Sequence, residues 1–255
     1  MTTSKLTQKI QAANKEGRKA LIPFLPAGFP DREKFWEELL SLDKSGADII
    51  EIGVPFSDPV ADGPVVEQAS LECLERGINL SWIFEELSKR KGKFQAGLVL
   101  MGYYNPFLQY GLEELAKDAA HAGMDGFIVP DLPLEESEEM KAALSPYGLD
   151  LVPLVGLNTS EERLALYAAS GTGFAYFVSV LGTTGVRETL PEEIRQRLGP
   201  AREAFSIPLA LGFGVKTPDQ LLEFTDLVDA VVFGSALIRH IRAGKSAAEF
   251  MAAWQ

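Results

Sequence analysis

Glu51 lies in the run Asp48-Ile49-Ile50-Glu51-Ile52-Gly53-Val54-Pro55, with isoleucine on both sides of it. A carboxylate inside such a run is costly unless it is paired or put to use. Burial raises its pKa, and a carboxyl group that titrates near neutrality can both donate and accept a proton. The competing role is a buried acid held by a structural partner. Two more acids follow in Phe56-Ser57-Asp58-Pro59-Val60-Ala61-Asp62-Gly63-Pro64. Asp before proline and Asp before glycine are both ordinary turn residues, so chemistry alone does not separate Asp58 from Asp62.

A second group of residues suits an anion. Leu211-Gly212-Phe213-Gly214-Val215 and Phe233-Gly234-Ser235-Ala236 each place glycine just after an apolar run, where backbone N–H groups can approach a ligand closely. Ser235 then opens a short helix whose unpaired N–H groups and positive dipole end face a phosphate. Gly185, in Leu181-Gly182-Thr183-Thr184-Gly185-Val186, can bring a further amide to the same group from a loop that acts as a lid. The bland reading of these glycines is that they only permit tight turns.

Absences narrow the reaction. His121 and His240 are the only histidines and fall in separate helical segments, so no histidine cluster is available for a metal. Lys216 is the only lysine just past a predicted strand end, and it sits in a turn, which disfavours Schiff-base chemistry. Acid-base catalysis by carboxylates remains.

The elements that must carry these residues recur regularly. Apolar runs at Ala20–Leu25, Asp48–Gly53, Gly97–Met101, Gly126–Val129, Leu151–Val155, Phe174–Val178, Pro208–Leu211 and Ala230–Phe233 have the character of strands buried on both faces. Between them, segments such as Asp31–Gly46, Leu112–Ala122, Leu134–Leu144 and Ser160–Ser170 have helical spacing. Two helices, Val65–Arg76 and Ser81–Lys89, fill the long stretch between the second and third strands. Ser4–Glu16 reads as an extra helix that caps the barrel bottom. The expected architecture is a single α/β domain over residues 1–255, a (β/α)8 TIM barrel. A doubly wound sheet is the competing arrangement. In a barrel the loop holding Asp58 and Asp62 and the two glycine turns share the C-terminal, active face.

Composition sets the remaining limits. With 36 acidic and 24 basic residues the net charge is −12, a poor basis for binding nucleic acid or anionic membrane. Cys73, the only cysteine, excludes an intrachain disulfide and fits a reducing compartment. The polar start and the lack of a long apolar run point to a cytoplasmic protein.

The chain resembles the tryptophan synthase alpha chain family over nearly its whole length. The resemblance rests on Glu51–Pro59 with Ala61-Asp62-Gly63-Pro64, on Tyr103-Tyr104-Asn105-Pro106, on Pro130-Asp131-Leu132-Pro133 and on Gly212-Phe213-Gly214, in that order. It implies retro-aldol cleavage of indole-3-glycerol phosphate to indole and glyceraldehyde 3-phosphate without a cofactor in this chain. Pyridoxal phosphate would belong only to a partner beta subunit, within an alpha2-beta2 heterotetramer. By matching position, Glu51 would protonate indole carbon three and take the proton of the glycerol hydroxyl. Asp62 would stabilise charge at the indole nitrogen, and Asp58 would lie toward the partner.

The same resemblance implies an indole pocket formed by Phe24, Tyr103, Ile128, Leu154, Tyr176 and Val232, with the Tyr176 hydroxyl in reach of Glu51. Gly185, Phe213, Gly214, Gly234 and Ser235 would hold the phosphate. Pro55, Phe56, Asn105, Pro106 and Phe107, with Asp58, would face the beta subunit. The chain departs from the family pattern at Pro26, at Gly156-Leu157-Asn158 and at Leu181. None of these is a proposed catalytic residue. Other phosphate-barrel reactions and a non-catalytic regulatory subunit are the alternative functions. Release of indole by the isolated chain separates them.

Overall fold

The computed structural model describes residues 3–179, 192–212 and 217–254. Nine short parallel strands alternate with helices: β1 (Ala20–Pro26), β2 (Ile49–Gly53), β3 (Gly97–Met101), β4 (Gly126–Ile128), β5 (Asp150–Val152), β6 (Leu154–Gly156), β7 (Ala175–Val178), β8 (Leu209–Gly212) and β9 (Ala230–Phe233). They pair in the order β5-β4-β3-β2-β1-β9-β8-β7-β6. The two ends of that order, β5 and β6, are consecutive in the chain, so the sheet curls into a (β/α)8 barrel closed through a single residue, Pro153.

That break corrects the expected strand Leu151–Val155. Proline has no N–H to give to a ladder. The chain therefore pairs with β4 as far as Val152 and with β7 from Leu154 onward, while the Pro153 carbonyl still accepts the Tyr176 N–H at 2.9 Å.

The surrounding helices are α1 (Lys5–Lys15), α2 (Arg32–Lys44), α3 (Pro64–Glu75), α4 (Leu80–Ser88), α5 (Tyr104–Tyr110), α6 (Leu112–Ala122), α7 (Glu138–Leu144), α8 (Glu161–Ser170), α9 (Glu192–Ala204), α10 (Pro218–Leu222), α11 (Ser235–Arg242) and α12 (Ala247–Ala252). The paired helices α3 and α4 between β2 and β3 are as expected. The anticipated helix Leu134–Leu144 is shorter. Its first turn is a 3-10 turn, Leu134–Glu136, in which the Ser137 hydroxyl donates to the Leu134 carbonyl at 2.6 Å, and α7 begins only at Glu138. A serine side chain that competes for backbone groups resists helix propagation.

Register assigns the interior face. Phe24, Glu51 and Val99 are partners across β1, β2 and β3, and Leu154, Tyr176 and Ala210 are partners across β6, β7 and β8. With a side-chain period of two, these residues and Ile22, Ile128 and Val232 all point inward. At the N-terminal end the interior is filled by α1. Leu6 is buried over two glycines: a Cβ on Gly97 would lie 2.9 Å from Leu6 Cδ2, and one on Gly126 3.1 Å from Leu6 Cδ1. Ser4 donates to Asp150 and Thr7 to the Gly173 carbonyl, fixing this helix as the bottom plug.

The same end shows a repeated device. Asp48, Asp125 and Asp229, each just before a strand, accept the backbone N–H of Leu21, Leu98 and Leu209 in the neighbouring strand at 2.8–2.9 Å. Arg18, Lys5 and Arg202 pair with those same carboxylates. Their role is to hold strand ends together. The opposite face is left for chemistry.

Candidate active site

β2 carries Glu51 into the barrel interior, where only 2% of its surface is exposed, and its Oε2 is buried with no hydrogen-bond partner among the described residues. Burial first, and the neighbouring charge of Asp62 second, push Glu51 from 4.5 up to about 8. An apolar strand interior therefore keeps this acid protonated at neutral pH.

The loop after β2 turns back at Pro59, whose carbonyl accepts the Asp62 N–H at 2.9 Å. That turn sends Asp62 inward, 8% exposed, and leaves Asp58 on the surface beside Ser57. Gly63 and Pro64 then start α3. Burial raises Asp62 to about 7 against the opposing pull of a hydrogen bond from the Tyr103 hydroxyl, with Glu67 adding a smaller upward push. The same hydroxyl accepts the Ala61 N–H at 3.0 Å, and Phe56 stacks on the Tyr103 ring at 5.2 Å between centroids. Tyr103 thus ties the loop to the end of β3.

A cavity of about 300 Å³ opens in front of Glu51. Of the six residues expected to form an indole pocket, Ile128, Leu154 and Tyr176 line it. Phe24 is an interior neighbour of Glu51, its ring pressed over Gly53 and Gly234, where an added Cβ would lie 2.6 Å and 2.8 Å from ring atoms. Tyr103 holds the loop, and Val232 faces inward near the end of β9. Sequence reasoning missed Met101, Pro130 and Thr159, which also line the cavity, as do Gly156, Leu157 and Asn158, where the chain departs from the family pattern. Met101 and Ile128 are strand partners, so counting inward positions from Glu51 would have found the former.

Tyr176 is buried, and the charges of Glu51 and Asp62 join burial in raising its pKa well above 10. Its hydroxyl lies over Gly212, where an added Cβ would come within 2.4 Å of it. Of the expected phosphate residues, Gly234 caps α11 and Ser235 is its first residue. Gly185, Phe213 and Gly214 lie outside the described residues, as do Leu181 and Lys216.

The expected docking loop is corrected in two places. Phe107 is buried, its ring edge-on to Phe127 at 5.4 Å, because the segment after Tyr103 coils into α5 and turns that ring toward the core. Pro55 is buried as well. Asp58 and Asn105 are exposed, Phe56 and Pro106 are half-buried, and two apolar side chains not anticipated, Val60 at 76% and Leu108 at 49%, extend the same rim.

The arrangement suits proton transfer: a neutral buried acid facing a mainly apolar cavity, and a second acid poised near neutrality whose charge reaches the first. No helix is long and apolar enough to cross a membrane among the described residues.

Comparison with known proteins agrees with this geometry. The profile of the family described as Tryptophan synthase alpha chain matches residues 10–254. The tryptophan synthase alpha chain of Solidesulfovibrio magneticus is 69% identical over the full length of both chains, and that of Maridesulfovibrio salexigens 62% identical over the same extent. Among solved structures, tryptophan synthase of Mycobacterium tuberculosis superimposes with a TM-score of 0.90 at 32% identity, covering 99% of this chain and 96% of the other. The alpha subunit of Legionella pneumophila gives 0.87 at 30%, covering 99% and 96%. A barrel with a protonated acid buried on its second strand, matched along its whole length, leaves one conclusion: this chain belongs to the tryptophan synthase alpha chain family, lyases that cleave indole-3-glycerol phosphate in tryptophan biosynthesis.

Proposed function

We propose that Glu51 and Asp62 carry out that cleavage in this chain as a general acid-base pair. The observation that carries the reading is the buried, unpartnered carboxyl oxygen of Glu51 facing an apolar cavity. Protonated Glu51 delivers its proton to indole carbon three. Asp62, ionised, stabilises the positive charge that develops at the ring nitrogen. The Glu51 carboxylate then takes the proton of the glycerol hydroxyl, and the carbon–carbon bond breaks as the hydroxyl becomes the aldehyde of glyceraldehyde 3-phosphate. No cofactor is needed, because the indole ring itself holds the electrons released.

Gly234 and Ser235 at the start of α11, with Gly185, Phe213 and Gly214, bind the phosphate through backbone N–H groups. The indole ring lies against Ile128, Leu154 and Tyr176, with Phe24, Tyr103 and Val232 closing the walls. The chain works as one domain in the cytoplasm, in an alpha2-beta2 complex whose beta subunit alone holds pyridoxal phosphate. The decisive experiment mixes the purified protein with indole-3-glycerol phosphate, with and without a beta subunit, and follows indole. No indole in either mixture overturns the reading.

The two carboxyls give a pH signature. Catalysis needs Asp62 ionised and Glu51 protonated, so kcat/KM should rise through about pH 7 and fall through about pH 8. Asp62→Asn should erase the rising limb and keep a falling one, moved to lower pH because the neighbouring charge that helps raise Glu51 is gone. A rising limb that persists in that variant would reassign it.

The rim of Asp58, Val60, Asn105 and Leu108 offers exposed apolar surface flanked by polar groups, the pattern of an interface. Leu108→Asp should weaken binding of the beta subunit about tenfold, a typical loss for an interface residue of this kind, while leaving the activity of the isolated chain unchanged. Titration calorimetry measures the first and an indole assay the second.

A further inference from the structure

A second cavity, of about 270 Å³, lies outside the barrel wall against β5 and β6. Its origin is the break at Pro153. Strands of a parallel sheet are normally covered on both faces. Here α7 starts late, behind a 3-10 turn, and the outward side chain of Leu151 is left half-buried. β4 and β6 are not neighbours in the sheet, so the wall is split between Pro130 and Leu154. Those two residues line both this cavity and the one in front of Glu51.

The chemistry of the lining is specific. Leu132, Leu134, Leu151, Pro153 and Tyr167 provide flat and branched apolar walls, and among the described residues Lys141 is the one cation in the lining. Its partner Glu138, 3.1 Å away, is 82% exposed, so water competes for that acid and the ammonium remains available to a ligand. The carboxylate that the described residues place in the lining, Asp131, already accepts the Tyr104 N–H at 2.9 Å.

We propose that this cavity is a second binding site, for a small apolar carboxylate of fragment size. A ligand carboxylate that takes the place of the exposed Glu138 at Lys141 keeps one negative charge against one lysine. A doubly charged phosphate would sit beside Asp131 and Glu138 with charge uncompensated. An uncharged apolar ligand would leave Lys141 paired with Glu138 and gain no charge contact from it.

The test uses Ser170→Cys, which places a thiol in the cavity lining. The native Cys73 is buried in α3 and its thiol is pushed up to about 12, so it stays unreactive during labelling. With 3-phenylpropionate at about ten times its dissociation constant, labelling of the introduced thiol by a maleimide should slow about tenfold. The neutral isostere 3-phenylpropanol should protect far less. Lys141→Met should weaken the carboxylate about tenfold and remove its preference over the alcohol. Leu151→Trp, which fills the cavity, should abolish protection.

Absence of protection at saturating 3-phenylpropionate overturns the proposal. Equal protection by the alcohol overturns the carboxylate assignment, and protection that survives Leu151→Trp places the ligand elsewhere. Lys141 is half-buried at the rim of the cavity and outside the core, so its variant remains informative if the tryptophan variant does not fold.

Discussion

Glu51→Gln is expected to lower the rate of indole release by about 10³-fold, the range of a lost general acid-base group, while making the protein more stable in alkaline solution. The two effects have one cause. Burial raises Glu51 from 4.5 to about 8, so between these values the folded protein holds a proton that the unfolded chain has released. Stability is fully present below about pH 4.5, declines as pH rises, and is lowest once the folded group ionises above about 8. Glutamine keeps the shape and removes the ionisation. The gain should grow with pH and reach on the order of a few kcal/mol above about pH 8. Thermal unfolding of both proteins from about pH 5 to about pH 9, beside a kcat measurement, checks it. An active variant removes Glu51 from the mechanism, and a melting difference that does not change with pH removes the buried-acid explanation.

This acid was legible in the sequence because a charged residue inside an isoleucine-rich strand violates the local pattern, and such violations mark sites. The strands were legible for the converse reason, since segments buried on both faces read as short apolar runs. Asp62 was a different matter. Turn propensity treats Asp58 and Asp62 alike, and what separates them is a reversal at Pro59 that buries one side chain and exposes the other. Resemblance made that choice before any physical argument could.

The misreadings have equally particular causes. Pro153 was visible inside the run Leu151–Val155, but an apolar run with a proline in it still counts as apolar. The consequence lies in the backbone, where one missing N–H ends one pairing and starts the next. Phe107 was placed on the docking rim as an apolar residue of an expected loop, beside Pro106. Once that segment coils into α5, helical spacing turns the ring inward and exposes Leu108 instead. The outer cavity was half legible: the proline that breaks the strand stands in the sequence, but the late start of α7 that leaves Leu151 half-buried does not.

Gly212 tests how tightly the walls of the site are packed. A Cβ built there would lie 2.3 Å from Tyr176 Cε1 and 2.4 Å from both its Cζ and its hydroxyl oxygen, far inside van der Waals contact. Tyr176 is buried, and open space adjoins it in the cavity that it shares with Glu51. Gly212→Ala should therefore push the ring into the indole pocket, costing about 1–3 kcal/mol of stability as an overpacked core. A reacting geometry displaced by about 1 Å loses on the order of 10²-fold in rate, and activity should fall by that much.

Tyr176→Leu removes the three atoms that the new methyl meets. If the conflict is local, Gly212→Ala should cost little in that background, with a coupling of about 1–2 kcal/mol between the two sites. Denaturant unfolding of the four proteins in the cycle measures it. Simple additivity would mean that Gly212 is required for some other reason, such as close approach of its own backbone to the phosphate.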